Sequence, residues 1–155
     1  MVAEEMRPGV FMAGFAKLSA EGEIKGRLGL EELAKAVEKQ AKINASNGRH
    51  AYGTRTPARP GEGPARITGT LRGSVGHSAI SKEPGGWYTK VGPEAGKVNP
   101  NSGTPPDQYG YYLETGLKGG ATYPWLKPAA EMVTKISAVT IFNRKYGEGG
   151  WTRVF

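Results

Sequence analysis

From Leu30 onward the apolar positions recur at helical spacing. Leu30, Leu33, Ala34, Val37, Ala41 and Ala45 share one face, while Glu31, Glu32, Lys35, Glu38, Lys39 and Lys42 occupy the other. Glu31 and Glu32 stand in the first turn, where the positive end of the helix dipole favours carboxylates. Glu31 with Lys35, and Glu38 with Lys42, are i,i+4 pairs with the acid on the N-terminal side, the favourable order. The spacing predicts an amphipathic helix from Leu30 to Ser46, ended by a left-handed stop at Asn47-Gly48. A second run of the same period (Ala129, Met132, Val133, Ile136, Val139) predicts another helix. It opens at Pro128, where a missing N–H does no harm, with Glu131 in its first turn and Arg144-Lys145 at its end.

Between the two helices the period changes. Val75 to Ser81 and Trp87 to Gly92 are rich in β-branched and aromatic residues and flank the turn signal Glu83-Pro84-Gly85-Gly86, which predicts a hairpin. Just before it, Thr68 has the side chain of an N-cap and Gly69 can take a backbone conformation closed to other residues, so Leu71 is expected to point inward from a short helical turn. Asp107 to Gly116 reads as a short aromatic helix or an extended turn. Residues 48–66 and 93–106 have no apolar period and predict loops. The expected fold class is α+β: an N-terminal amphipathic helix, a central antiparallel hairpin or small sheet, and a second helix packed on that sheet. Long loops and terminal arms complete it. The expected organisation is an arm at 1–29, one domain at 30–146 and a C-terminal arm or strand at 147–155. Within the first arm, Val10 to Ala16 is a short apolar segment suited to docking. In the last, "WTRVF" (Trp151 to Phe155) follows a glycine-rich stretch, and its alternation suits a strand added to a neighbour's sheet edge.

Composition agrees with so much irregular chain, since 24 glycines and 11 prolines fall in 155 residues. The absence of cysteine excludes disulfides, thiolate nucleophiles and zinc–cysteine sites. No run approaches the roughly 18 apolar residues of a membrane span, so no membrane partner is expected. The net charge of +7 is unevenly placed. Between Arg49 and Lys90 seven basic side chains (Arg49, Arg55, Arg59, Arg66, Arg72, Lys82, Lys90) face only Glu62 and Glu83. Such a stretch is either a solvated loop or one that meets a polyanion.

Reactive chemistry is sparse. His50 and His77 lack metal-ligand spacing, and Asp107 is the only aspartate. Glu114 has aromatic neighbours that would raise the pKa of a general acid, but the plainer reading is a carboxylate accepting backbone or arginine hydrogen bonds at a turn. Thr115 to Gly120 lacks the Gly-Lys-Ser/Thr ending of a phosphate loop. No catalytic residue, cofactor or metal is therefore expected, and the chain is read as a non-enzyme. A nucleic-acid-binding module is the remote alternative. It rests on the basic excess and on Tyr52, Tyr88 and Tyr109, without any recognised motif.

Three phrases remain: "TGTLRGSV" (Thr68 to Val75), "YGYYLETG" (Tyr109 to Gly116) and "YPWLKPAAEMV" (Tyr123 to Val133). With the first helix and the hairpin, their order resembles the neck or tail-completion (head–tail joining) proteins of long-tailed, non-contractile bacteriophages, over Leu30 to Phe142. Two positions depart from that pattern. Ile67 stands where an aspartate often precedes the threonine-glycine pair, and Trp125 replaces a phenylalanine. The resemblance implies a virion protein of the head–tail connector, made in the bacterial host cytoplasm. It would form a ring, a hexamer by expectation, between the portal or head-completion proteins and the tail tube, with DNA passing without sequence-specific binding. A tail terminator capping the tail tube is the alternative within that class. In this reading Thr68, Gly69, Leu71, Arg72 and Ser74 turn the chain between helix and sheet. Tyr111, Glu114 and Gly116 fix the turn before the last helix, and Pro124, Trp125, Leu126 and Pro128 lock that helix onto the sheet. Contacts with a neighbouring subunit or ring are expected from Arg49, Arg55, Arg59 and Arg66 in the basic loop and from Trp151, Arg153 and Phe155 in the tail.

Overall fold

The computed structural model describes residues 11–14, 20–49 and 58–147. The fold is α+β, with helices on a small antiparallel sheet. Strand β1 (Phe11–Gly14) leads to the long helix α1 (Ala20–Asn44), and a single-turn helix α2 (Thr70–Ser74) feeds strands β2 (Val75–His77), β3 (Ser81–Glu83) and β4 (Gly86–Pro93). Helices α3 (Pro106–Thr115) and α4 (Leu126–Gly147) follow. All six apolar positions expected on the inner face of α1 are buried. Five of them, from Leu33 to Ala45, pack with Leu71, Val75, Val91, Trp125, Leu126, Ala129 and Val133 around one core between α1, α4 and the sheet. On the outer face, Lys35 pairs with Glu31 at 2.7 Å and Lys42 pairs with Glu38, as the spacing anticipated. Arg144 and Lys145, from the last turn of α4, reach Glu32 and fix the two long helices antiparallel.

Several boundaries differ from the sequence expectation. Helix α1 begins at Ala20 rather than Leu30, because its first turns are held by contacts outside the apolar period. Arg27 lies over the Trp87 ring, 4.7 Å from its centroid, and Lys82 of β3 reaches Glu23 at 3.5 Å. The aromatic ring of Phe142 fills the space that a side chain at Gly29 would take. Phe11–Gly14 is not part of an arm but a strand, paired antiparallel with β4 from Phe11↔Val91 to Gly14↔Tyr88. No left-handed residue closes α1. Gly48 is instead pressed against the loop, where an added Cβ would meet the Gly63 carbonyl at 2.5 Å.

The hairpin forms around Pro84-Gly85, but the strand expected over Val75 to Ser81 is split. His77 pairs with Val91 and Ser81 with Tyr88, so four steps on one strand face three on the other. That is a bulge. Ser78 fills it: its hydroxyl accepts the Lys90 amide at 3.0 Å, and its carbonyl accepts the Thr89 hydroxyl at 2.8 Å. Strand β4 is thereby central, with β1 on one edge and β2 and β3 on the other.

Helix α4 starts two residues before Pro128, which leaves Glu131 in the second turn. Its apolar run also divides. Leu126, Ala129, Val133 and Ile141 are buried, whereas Met132, Ile136 and Val139 face outward. The two sets should separate in stability measurements. Leu126→Ala, at a site 1% exposed, is expected to lower the unfolding free energy by about 2–5 kcal/mol. Ile136→Ala, at a site 69% exposed, is expected to change it by less than about 0.5 kcal/mol in the same urea titration.

Candidate functional site

The three phrases of the sequence meet in a single buried junction. Helix α4 leaves the amides of Trp125, Leu126 and Lys127 without intrahelical acceptors, while Pro128, the fourth position, has no N–H to satisfy. The Glu114 carboxylate, from the last turn of α3, takes all three amides. One oxygen accepts Trp125 at 2.9 Å and Leu126 at 3.0 Å, and the other accepts Lys127 at 3.1 Å. A negative charge at this end also complements the helix dipole. Glu114 thus has the backbone-accepting role rather than that of a free acid, and it does what the sequence assigned to Glu131.

Trp125, fully buried, ties the other phrases together. Its indole Nε1 donates to the Gly110 carbonyl at 3.0 Å, and its own carbonyl accepts Asn44 Nδ2 at 3.0 Å. Gly110 lets the ring approach α3, since a Cβ there would stand 3.1 Å from both Trp125 Cζ2 and Leu71 Cδ1. The Tyr123 amide donates to the Leu113 carbonyl at 2.6 Å. Gly116, at φ 135°, ends α3 and donates to the Tyr112 carbonyl at 2.8 Å. The Tyr111 carbonyl accepts the Thr115 hydroxyl at 2.9 Å, and its half-buried ring lies against Tyr112. Pro124 is also half-buried.

The first phrase completes the junction through α2. Gly69, at φ 76°, occupies the N-cap position expected of Thr68. Thr68 stands one residue earlier, and its hydroxyl accepts the Thr70 amide at 3.3 Å. Leu71 points inward, Ser74 is fully buried with its hydroxyl donating to the Leu71 carbonyl at 2.7 Å, and Arg72 is exposed.

Two concave surfaces adjoin the junction. A cavity of about 220 Å³ is walled by Ala45, Ala58, Leu71, Tyr109, Leu113 and Tyr123, with the exposed Arg66 and Arg72 on its rim. Burial pushes the Tyr109 phenol up to about 12, so it is a neutral donor at physiological pH. On the other side of Arg72, an open groove of about 520 Å³ is lined by Lys35, Lys39, Lys42 and His77 around Glu38. His77 Nδ1 lies 2.5 Å from Glu38 Oε2. Burial raises the Glu38 carboxyl, but hydrogen bonds from Lys42 and His77 outweigh it and hold the group below its ordinary value.

Of the residues expected to meet partners, Arg49, Arg59 and Arg66 are exposed. Arg49 lies 3.5 Å from Glu62, and the Gly61 amide donates to the Thr122 carbonyl at 2.8 Å, which pins this end of the loop beside the third phrase. Arg55, Trp151, Arg153 and Phe155 lie outside the described residues, as do His50 and Tyr52. Asn44, Gly110 and the Glu38–His77 pair escaped the sequence reading. A polar residue within the apolar stripe of α1 was the available signal for Asn44; nothing local marked the others. Among the described residues no three His, Asp or Glu side chains gather where an ion could be held. Comparison with protein-family models, with curated proteins and with solved structures finds no match to this chain.

Two measurements check these assignments. Glu114→Ala leaves three amides without their acceptor and is expected to cost about 2–3 kcal/mol in urea unfolding, with Glu114→Gln costing less. For Glu38, the folded pKa lies below 4.5, so its contribution is complete above that value and disappears as pH falls through the lowered folded one. The melting temperatures of wild type and Glu38→Gln are therefore expected to differ at neutral pH and to converge as the pH falls through the lowered folded value.

Proposed function

We propose that this chain is a structural subunit of a bacteriophage head–tail connector, assembling into a ring between the head-side proteins and the tail tube. The observation that carries the reading is the junction. The three phrases whose order resembles that of neck and tail-completion proteins spend their specific chemistry on one another: a carboxylate on three amides, an indole on a carbonyl, a glycine on a ring contact. Residues used in this way set the shape of a subunit rather than turn over a substrate. A rigid subunit is what a closed ring needs, because a small error in the angle between neighbours accumulates around the circle.

The surface supports the same reading. Arg49, Arg59 and Arg66 are exposed along the loop that the Gly61–Thr122 hydrogen bond pins beside the third phrase, and they make that loop basic. Facing a DNA channel, such a loop would retard passage, since phosphate contacts add a salt-dependent attraction. It suits an acidic face of an adjacent ring instead, with DNA passing through the channel unbound.

Native mass spectrometry and electron microscopy of the purified full chain test the proposal. Closed rings of one stoichiometry with a central channel are expected, hexamers first. A chain that stays monomeric and binds mixed-sequence DNA with a steep salt dependence would replace this reading with the nucleic-acid one.

A further inference from the structure

A row of cations runs along the outer side of α1 and ends at the mouth of the cavity. Lys35, Lys39 and Lys42 follow one another at i, i+4 and i+7, which spaces them over roughly 10 Å of helix. Ser46, one turn further on, accepts the Arg72 guanidinium at 3.3 Å, so Arg72 continues the row from α2. Arg72 lines both the groove and the cavity, and its neighbour Leu71 walls the cavity together with Ala45, which precedes Ser46. Groove and cavity are therefore one continuous surface. Both open to solvent: Lys35, Lys39 and Arg72 are exposed, and Leu117 on the cavity wall is 41% exposed. The charges in the row are not equally committed. Lys35 is paired with Glu31 and Lys42 with Glu38, which His77 also meets. Lys39 makes no ion pair among the described residues, and Arg72 donates there only to the Ser46 hydroxyl, which leaves guanidinium donors over.

We infer that this surface docks an extended acidic segment of a partner protein, with carboxylates on Lys39 and Arg72 and an apolar side chain of the same segment in the cavity. The uncommitted cations call for an anion, and the cavity calls for a bulky apolar group. At about 220 Å³ it exceeds the roughly 150 Å³ that holds a benzene ring in an apolar interior. Side chains on one side of an extended segment stand roughly 7 Å apart. That is close to the roughly 6 Å of helix between Lys35 and Lys39, so acids at alternate positions match the spacing of the row. A nucleic-acid strand fits less well. Lys39 and Arg72 would neutralise about two phosphates, a shallow salt dependence and a weak hold for a phosphate binder. Every nucleotide also brings a charge, whereas a peptide can set a neutral residue opposite the Glu38 carboxylate in the groove. The cavity wall is largely aliphatic at Ala45, Ala58, Leu71 and Leu113, where a base needs ring faces to stack on. The inference does not rest on the ring reading, since a single subunit carries the whole surface.

Isothermal titration calorimetry of the full chain tests it, with the unlabelled peptide Glu-Ser-Glu-Ser-Phe-Ser-Glu-Ser-Glu as the probe. Micromolar binding that weakens as salt is added is expected. Lys39→Glu and Arg72→Glu are each expected to weaken it by about threefold to tenfold. Lys135→Glu, the same change of charge at an exposed position of α4, is expected to leave it unaltered. Serine in place of the peptide's phenylalanine is expected to cost about tenfold against wild type. Against Leu117→Asp, whose charge spoils the apolar wall, the same replacement is expected to cost much less. Circular dichroism checks that each variant folds; Lys39→Glu carries the groove arm alone should Arg72→Glu fail, and Leu117→Ser replaces Leu117→Asp in the cavity arm. Equal peptide affinity in wild type, Lys39→Glu and Arg72→Glu overturns the inference, as does a phenylalanine effect of the same size in wild type and the Leu117 variant. A mixed-sequence oligonucleotide that binds more tightly than the peptide, and loses affinity in the same variants, makes nucleic acid the occupant and overturns the partner protein. No peptide binding at millimolar concentration overturns the inference outright, while the ring reading is decided separately by stoichiometry.

Discussion

The contact on which the rest of this structure depends is one carboxylate serving three backbone amides. A helix beginning inside a protein must find acceptors for its first donors or leave them desolvated and unpaired, which is costly. Here proline removes one donor from the problem and Glu114 accepts the other three. Because the carboxylate belongs to α3, the requirement is met only when α3 and α4 hold one fixed relation. Local helix capping has become a long-range constraint.

Trp125 extends that constraint to the other elements. It sits at the capped end of α4, donates to α3 and accepts from Asn44 at the end of α1. Leu71 brings in α2, and with it the start of the sheet. One buried ring is thus common to four helices, and displacing it uncouples them together. Such a centre explains how a chain with 24 glycines and long irregular stretches still specifies one arrangement. The uniquely shaped contacts are concentrated, and the remainder of the core needs only apolar residues of suitable size.

What could be read from the sequence follows from how local each determinant is. The inner face of α1 was legible because six positions at helical spacing all serve one core. The hairpin was legible from its turn, yet the bulge at Ser78 was not, because a serine replacing a ladder partner leaves no periodic trace. The run on α4 mixed two functions within one period: Val133 belongs to the core, Ile136 to the surface, and spacing cannot tell them apart. Glu114 was recognisable as a carboxylate that takes backbone donors, but its partners are set by tertiary structure. The same holds for Gly110, whose lack of a side chain matters only once Trp125 has arrived.

The unequal construction of α1 has a consequence for how the molecule opens. From Leu30 to Asn44 the helix is clamped by the core, while upstream it carries Gly22, Gly26 and Gly29, each about 1 kcal/mol poorer than alanine in a helix. That upstream part is held by a ring contact, a cation over Trp87 and an exposed ion pair, not by burial of an apolar stripe. Its amide hydrogens therefore exchange with solvent through a local opening that leaves the Trp125 junction closed, whereas those of the clamped part wait for global unfolding. Helix α1 is one rod in outline and two cooperative units in free energy.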